Sequence, residues 1–153
     1  MAKAYRILLA DDYLLFRREI RKFIEKTEGL TVVAEASKDT ELFQLLEETR
    51  PDLVLIDISM PNTRAMEATR RIKEEHPQVK VLVMVLDHEV EYLSYALRAG
   101  ADGVVLKQYA AAELIRAIRK VKMGKFFLPA LFKNEKKTLL ASVKERCGGL
   151  MIC

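Results

Sequence analysis

The feature that most constrains the fold is a regular alternation of short apolar runs with longer amphipathic stretches. Three of the five runs contain an uninterrupted apolar stretch (I-L-L-A, L-V-L-I or V-L-V-M-V-L), as is typical of strands buried on both faces. The five runs extend from Arg6 to Ala10, Thr31 to Ala36, Leu53 to Asp57, Lys80 to Leu86 and Gly103 to Leu106. Five strands alternating with five helices predict an α/β fold with a parallel sheet covered by helices on both faces.

Each amphipathic stretch carries an apolar stripe at helical spacing, which predicts a helix with one buried face. The stripes are Phe16, Ile20, Phe23 and Ile24; Leu42, Leu45 and Leu46; Met66, Thr69 and Ile72; Val90, Leu93 and Leu97; and Leu114, Ile118 and Val121. Gly100 and Gly124 follow the fourth and fifth stripes, and glycine commonly ends a helix. A weaker stripe of Leu139, Leu140 and Val143 predicts a further short helix in the tail.

The length of 153 residues corresponds to about one domain. The two cysteines, Cys147 and Cys153, both lie in the last seven residues, so a disulfide between them could not cross-link the core. The scarcity of cysteine fits a reducing compartment. No apolar run approaches the ~20 residues of a membrane span, and the N-terminus lacks the apolar region of a signal peptide. We therefore expect a cytoplasmic protein that does not associate with a membrane.

The net charge of +4 is concentrated near the end of the chain. Residues 129–153 carry five basic and two acidic side chains, whereas residues 1–128 carry a net charge of only +1. A general affinity of the main domain for nucleic acid is therefore not indicated.

Charged residues follow three of the predicted strands where each strand ends. Asp11 and Asp12 follow the first strand, Asp57 ends the third and Lys107 follows the fifth. Taken singly, such residues are commonly helix caps, turn residues or surface charges. In a parallel α/β sheet, however, these ends meet at the ligand site, and three neighbouring carboxylates repel one another unless a cation is present. Oxygen donors suit Mg²⁺ and a lysine suits a phosphate, so the pattern indicates a site for both.

These residues lie in segments that resemble the receiver domain of two-component response regulators, over residues 1 to about 124. The segments are I-L-L-A-D-D at 7–12, P-D-L-V-L-I-D-I-S-M-P at 51–61, E-A-T-R at 67–70, A-L-R-A-G-A-D-G at 96–103 and L-K at 106–107. The second and third are most similar to receivers that precede a C-terminal helix-turn-helix. The resemblance implies a flavodoxin-like, doubly wound five-stranded parallel sheet of order 2-1-3-4-5 with five helices. Residues 125–153 would then form a short, partly helical linker or tail.

The resemblance also implies a role for each site residue. Asp57 matches the residue that accepts a phosphoryl group, and Lys107 matches the lysine that contacts that group. Asp12 matches a direct Mg²⁺ ligand, Asp11 a ligand acting mainly through water, and Ser59 a residue whose backbone carbonyl completes the metal site together with Asp57. The implied phosphoryl donor is a sensor histidine kinase or a phosphotransfer protein. Self-phosphotransfer and autodephosphorylation at Asp57 would be the only chemistry, so we do not expect an enzyme in the usual sense.

Two positions depart from the family pattern where receivers couple phosphorylation to a change of conformation. A hydroxyl residue usually ends the fourth strand, where this chain has Val85, and an aromatic residue usually precedes the lysine by three positions, where it has Val104. Valine can neither donate a hydrogen bond nor rotate inward as an aromatic ring does. Gln108 replaces a common proline, and His88 could supply a substitute contact to phosphate, although a loop histidine is more often simply solvated.

Two functional hypotheses remain open at this stage. The first is a receiver that is phosphorylated on Asp57 and signals through protein contacts, and the second is a pseudo-receiver that binds a protein independently of phosphorylation. Only 29 residues follow Gly124, too few for a helix-turn-helix domain, so direct DNA binding is not expected, and a homodimer is left open. The chain has no Walker A or G-x-G-x-x-G loop for a nucleotide.

Overall fold

A computed structural model describes residues 3–58, 65–86, 90–130 and 132 of the chain, for residues 90 and 91 the backbone only. Five parallel strands form one sheet: β1 (Tyr5–Ala10), β2 (Leu30–Ala36), β3 (Leu53–Asp57), β4 (Lys80–Val85) and β5 (Gly103–Leu106). Five helices connect or follow them: α1 (Leu14–Glu25), α2 (Asp39–Thr49), α3 (Ala65–Glu75), α4 (Val90–Arg98) and α5 (Ala110–Lys122). The strand order is β2-β1-β3-β4-β5, so the predicted flavodoxin-like fold of order 2-1-3-4-5 is confirmed.

The sheet separates two apolar cores because successive side chains of a strand point to opposite faces. In β1, Leu8 and Ala10 belong to the core beneath α2, α3 and α4, whereas Ile7 and Leu9 belong to the core beneath α1 and α5. All five residues of β3 are buried, as its uninterrupted apolar run predicts for a central strand. Within the described residues, no helix is long and apolar enough to cross a membrane.

Glycine at a positive φ follows the last two helices. Gly100 (φ 90°) lies two residues after the end of α4, and Gly124 (φ 82°) lies two residues after the end of α5. A residue with a Cβ is strained in this left-handed conformation, so glycine favours the exit from the helix at both positions. The ends predicted from the two glycines agree with those of α4 and α5.

The chain that follows α5 packs against the outer edge of the sheet. We call residues 125–130 the edge segment. Its Phe127 accepts a backbone hydrogen bond from the amide of Val104 at 3.0 Å and donates one to the carbonyl of Asp102 at 3.4 Å. Phe132, just beyond the segment, is only 1% exposed and belongs to the core beneath α2, α3 and α4.

This packing bears on the domain boundary that the sequence places at residue 124. Some residues beyond that boundary contribute side chains and backbone hydrogen bonds to the domain. The predicted tail helix with Leu139, Leu140 and Val143 lies outside the described residues and stays a prediction.

Candidate functional site: an acidic pocket at the strand ends

Three carboxylates meet at the carboxyl edge of the sheet. Asp11 and Asp12 follow β1, and Asp57 is the last residue of the neighbouring strand β3. Asp11 and Asp57 are each 1% exposed, whereas Asp12 is exposed. One oxygen from each of the three side chains lies within 4.8 Å of the other two. The parallel strands thus bring together carboxylates that are 45 residues apart in the chain.

Lys107 brings a positive charge into this pocket. It follows β5 directly, in a single 3₁₀ turn (Lys107–Tyr109), and its side chain is 10% exposed. Its Nζ lies 2.9 Å from Oδ2 of Asp57 and 2.9 Å from Oδ2 of Asp11. Burial by itself would lower the pKa of Lys107, but the hydrogen bonds to the two carboxylates outweigh it and raise the pKa. The ammonium therefore stays charged, and with three ionised carboxylates the pocket has a formal charge of −2.

Asp11 is held from two sides. Its Oδ1 accepts a hydrogen bond from the amide of Tyr13 at 2.9 Å, and its backbone carbonyl accepts one from the guanidinium of Arg17 at 2.5 Å. Burial raises the pKa of Asp11 more than the contacts with the Tyr13 amide and Lys107 lower it, and the neighbouring Asp57 adds to the rise. A second positive charge in the pocket would stabilise the ionised form of this carboxyl group.

Arg17 connects the pocket with the far edge of the sheet. Its Nε donates to Glu35 on β2 at 2.8 Å, and Arg21 donates to the other oxygen of the same carboxylate at 2.5 Å. Partial burial opposes ionisation of Glu35, but the two guanidinium groups outweigh it and lower its pKa. The first half of α1 is thereby fixed against β2, with the Asp11 backbone held between them.

The pocket opens into a cavity of about 450 Å³ whose rim is largely apolar. Among the described residues, its lining includes Asp12, Tyr13, Phe16, Asp57, Leu86, Lys107 and Gln108. Tyr13 and Leu86 are more than half exposed, and the centroid of the Phe16 ring lies 4.4 Å from Nζ of Lys107. In the sequence, Phe16 belongs to a predicted core stripe and Leu86 ends the fourth apolar run, but no pattern gives a role to Tyr13 or Arg17. Proximity in the chain to the D-D pair is the signal for Tyr13 and Arg17, and the position at a predicted strand end is the signal for Leu86.

The three carboxylates fit a magnesium ion. Mg²⁺ takes oxygen donors and is usually held by few carboxylates, with water and phosphate completing its coordination. Asp11, Asp12 and Asp57 offer such oxygens within 4.8 Å of one another, and the formal charge of the pocket is equal and opposite to that of the ion. Ser59, which the family resemblance predicts as a carbonyl ligand, lies outside the described residues, as does His88.

Both positions at which the sequence departs from the receiver pattern lie in the core. Val85 ends β4 and Val104 lies in β5, and the side chain of each is fully buried. Val104 pairs with Val83 of β4, and its amide is bonded to the edge segment. At these positions the chain presents compact aliphatic side chains without a hydroxyl group or a ring.

The family model described as the response regulator receiver domain matches residues 7–119 of the chain. The chain belongs to this family. The receiver is 35% identical over 118 residues to the transcriptional regulatory protein DegU of Brevibacillus brevis, an alignment that covers 77% of this chain and 50% of DegU. It is 35% identical to the response regulator GacA of Pseudomonas viridiflava, over 80% of this chain and 58% of GacA.

Solved structures agree with this assignment. The crystal structure of a LuxR-family two-component response regulator from Aurantimonas sp. SI85-9A1 is similar with a TM-score of 0.79 at 31% identity, over 96% of this chain and 99% of that chain. The non-phosphorylated receiver domain of RcsB from Escherichia coli has a TM-score of 0.77 at 28% identity, over 83% of this chain and 99% of that chain. The resemblance to response-regulator receivers is confirmed.

The comparisons do not support our expectation that DNA binding is absent. One of the similar structures is of two RcsB dimers bound to two parallel DNAs, and this receiver spans about half the length of the curated relatives that it matches. The number of residues after Gly124 therefore carries no conclusion about the output of the whole protein. The relatives are response regulators and not typical enzymes, in agreement with the coarser part of our expectation.

Proposed function

We propose that this receiver accepts a phosphoryl group on Asp57 from a phosphohistidine of a sensor histidine kinase or phosphotransfer protein, and signals through protein contacts. The observation that carries the proposal is the position of Asp57. Its carboxylate ends β3 between Lys107, at 2.9 Å, and the oxygens of Asp11 and Asp12, within 4.8 Å. A carboxylate with an ammonium and metal-binding oxygens beside it has the groups that phosphoryl transfer requires.

In the proposed transfer, a carboxylate oxygen of Asp57 attacks the phosphorus atom in line with the leaving histidine nitrogen. The new bond joins this oxygen to phosphorus, the phosphorus–nitrogen bond breaks, and the imidazole keeps the electron pair and takes up a proton. Asp57 becomes an acyl phosphate. Because Asp57 is buried and paired with Met84 in the sheet, the attacking oxygen is already positioned when the donor arrives.

Lys107 exchanges a carboxylate contact for a phosphoryl contact in the proposed transfer. In the unphosphorylated receiver its ammonium lies 2.9 Å from both Asp57 and Asp11. After transfer the ammonium can approach an oxygen of the phosphoryl group and offset its charge. Asp11, Asp12 and Asp57 would hold Mg²⁺, which when bound supplies further positive charge at the transferring oxygens.

The alternative is a phosphorylation-independent pseudo-receiver that binds a protein partner. The observation that favours it is the complete burial of Val85 and Val104, which replace the hydroxyl and aromatic residues expected at these positions. Neither valine lines the acidic pocket, so acceptance of a phosphoryl group and its coupling to signalling are separable.

Labelling with a small phosphodonor tests the proposal. The full chain is incubated with acetyl phosphate in Mg²⁺ or in EDTA, and the mass of the intact protein is measured before and after hydroxylamine, which cleaves acyl phosphates. We expect one Mg²⁺-dependent, hydroxylamine-sensitive phosphate that disappears in Asp57→Asn and persists in Asp39→Asn, a matched change on α2. Labelling that survives Asp57→Asn removes the assignment of this residue, and an unlabelled wild type favours the pseudo-receiver.

A histidine kinase or phosphotransfer protein as the donor and a cytoplasmic location stay predictions from the receiver relationship, as does a homodimer.

A further inference from the structure

The Lys107 ammonium has a third neighbour besides its two carboxylate partners. The ring centroid of Phe16 lies 4.4 Å from Nζ of Lys107, and that of Tyr13 lies 5.9 Å away. Phe16 lies in the first turn of α1, is half-buried and packs against the core beneath α1 and α5. Its ring therefore belongs to the core at one side and lines the acidic pocket at the other.

A cation within about 6 Å of an aromatic centroid is attracted by the negative face of the ring, and the attraction grows as the cation is withdrawn from water. Phe16 is well inside this range, whereas Tyr13 is near its limit and 58% exposed. The side chain of Lys107 is 10% exposed, so its ammonium is largely withdrawn from solvent. Of the two rings, Phe16 has the stronger interaction with the ammonium.

The ring differs from the two carboxylates in one respect that matters for transfer. Asp11 and Asp57 attract the ammonium through full negative charges, so they compete with an arriving phosphoryl group for the same cation. Phe16 carries no net charge, and it restrains the ammonium without that competition. When Lys107 turns from a carboxylate oxygen to a phosphoryl oxygen, the ring can remain its neighbour.

We propose that Phe16 is a positioning residue that keeps the Lys107 ammonium beside Asp57 during phosphoryl transfer. This inference rests on the proposed function, since it assigns Phe16 a role in that same reaction. Phe16 touches neither the phosphorus atom nor the attacking oxygen and acts through Lys107. A cation–π contact contributes about 0.5–2 kcal/mol, which corresponds to a change in rate of about 2- to 30-fold.

Phe23 provides a matched control on the same helix. It lies seven residues after Phe16, about two turns away, is also half-buried and packs against the same core. Phe16→Leu and Phe23→Leu therefore remove a ring of the same kind from the same helix, but only the first removes a ring beside Lys107. Phe16→Tyr keeps an aromatic face in place and serves as the rescue.

The experiment has two readouts on the full chain. The first is the NMR chemical shift of the Lys107 ε-methylene protons without metal or phosphodonor, because a nearby ring moves such protons upfield. The second is the initial rate of Asp57 labelling by phosphoramidate in excess Mg²⁺, measured far below each melting temperature. We expect Phe16→Leu to abolish the upfield shift and slow labelling about five-fold, Phe16→Tyr to restore both, and Phe23→Leu to change neither.

Two results would overturn the inference. One is an unchanged labelling rate in Phe16→Leu, whether or not the Lys107 shift changes. The other is an equal loss of rate in Phe16→Leu and Phe23→Leu, which would show that the ring serves only core packing. If the wild type is not labelled on Asp57, the proposed function fails and the role of Phe16 in transfer fails with it, and the methylene shift then reports only whether the ring lies beside Lys107.

Discussion

Neutralising Asp12 separates the electrostatic repulsion among the carboxylates of the acidic pocket from the binding of Mg²⁺ proposed there. Lys107 forms ion pairs with Asp11 and Asp57 at 2.9 Å, and Asp12 is the third, exposed carboxylate. Asp12→Asn keeps the size of the side chain and removes one negative charge, so the formal charge of the pocket changes from −2 to −1. Without metal the change relieves repulsion, and with metal it removes a ligand.

The size of the relief depends on the spacing of the oxygens. Asp12 repels two carboxylates at no more than 4.8 Å, which is about 0.9 kcal/mol per pair in water and about 3.5 kcal/mol per pair at an effective dielectric constant of 20. Because Asp12 is exposed, the lower value applies, and attraction to Lys107 cancels part of the total. We expect the metal-free variant to be more stable by about 1 kcal/mol, or about 2–4 °C in melting temperature for a chain of this size.

Excess Mg²⁺ is expected to stabilise the wild type more than it stabilises Asp12→Asn. A ligand at ten times its dissociation constant stabilises the folded state by about 1.4 kcal/mol, and the wild type receives this gain in full. Asp12→Asn replaces a carboxylate of the proposed Mg²⁺ site by a neutral amide and should gain less. Thermal unfolding followed by circular dichroism, in EDTA and in excess Mg²⁺, measures both effects. Glu28→Gln, which neutralises an exposed carboxylate elsewhere, is the control and should change the melting temperature little in either condition.

Two outcomes would refute this reasoning. A lower melting temperature of Asp12→Asn in EDTA would show that its carboxylate stabilises the metal-free pocket, contrary to the repulsion argument. An equal gain from Mg²⁺ in both proteins would show that the ion binds without Asp12.

Three further predictions concern the switch, the edge of the sheet and the pH dependence of stability. In Mg²⁺, the phosphoryl mimic beryllofluoride should shift amide NMR signals of the loops around the pocket but leave β5 at Val104 nearly unchanged. Val85 cannot donate a hydrogen bond to the phosphoryl group. Even one such bond would contribute only about 0.5–1.5 kcal/mol, whereas shifting the receiver from 1:99 to 99:1 between two conformations takes roughly 5.5 kcal/mol. Phe132→Ala should lower the free energy of unfolding in urea by about 3–5 kcal/mol, because the ring is buried in the core. Stability should fall as the pH drops below the usual pKa of a glutamate, since the pKa of Glu35 is lower in the folded state, and Glu35→Gln should flatten this dependence.

Each of these predictions has a contrary result. Large shifts through β5 and α4 would reveal a switch that works without the expected hydroxyl and ring. A loss below about 1 kcal/mol in Phe132→Ala would place that ring outside the cooperative core. Glu35→Gln with an undiminished loss of stability in acid would assign the acid sensitivity to other carboxylates.

The apolar runs predicted the strands closely because a central parallel strand must be apolar on both faces. The bounds of β3 and β5 match their runs residue for residue, and the other three strands differ by one residue at an end. The strand order came from the family resemblance, because the alternation of strands and helices is the same for several orders. Local pattern indicated the elements, and the family relationship supplied their arrangement.

The site was only partly visible in the sequence. Asp11, Asp12, Asp57 and Lys107 could be selected because charged residues at strand ends stand out against apolar runs. Phe16 could not, because helical periodicity shows that a ring faces inward but not that a lysine 91 residues away ends beside it. The packing of the edge segment could not be predicted for a similar reason. Pro129 interrupts any helical pattern there, and a single bridge to β5 leaves no repeating apolar pattern in the sequence.

The edge segment limits strand pairing between copies of this protein. The outer strand of a sheet presents unpaired amide and carbonyl groups, which are a template for intermolecular strand pairing and aggregation. Here the Val104 amide and the Asp102 carbonyl are occupied by Phe127 of the same chain. The glycine at 103 favours this contact, because an added Cβ would lie 3.1 Å from the Phe127 carbonyl oxygen and 3.1 Å from the side chain of Leu82, so that these neighbours would have to shift by a few tenths of an ångström. Gly103 thus allows the chain to shield its own sheet, and a polypeptide cut at residue 124 would offer that edge to its neighbours.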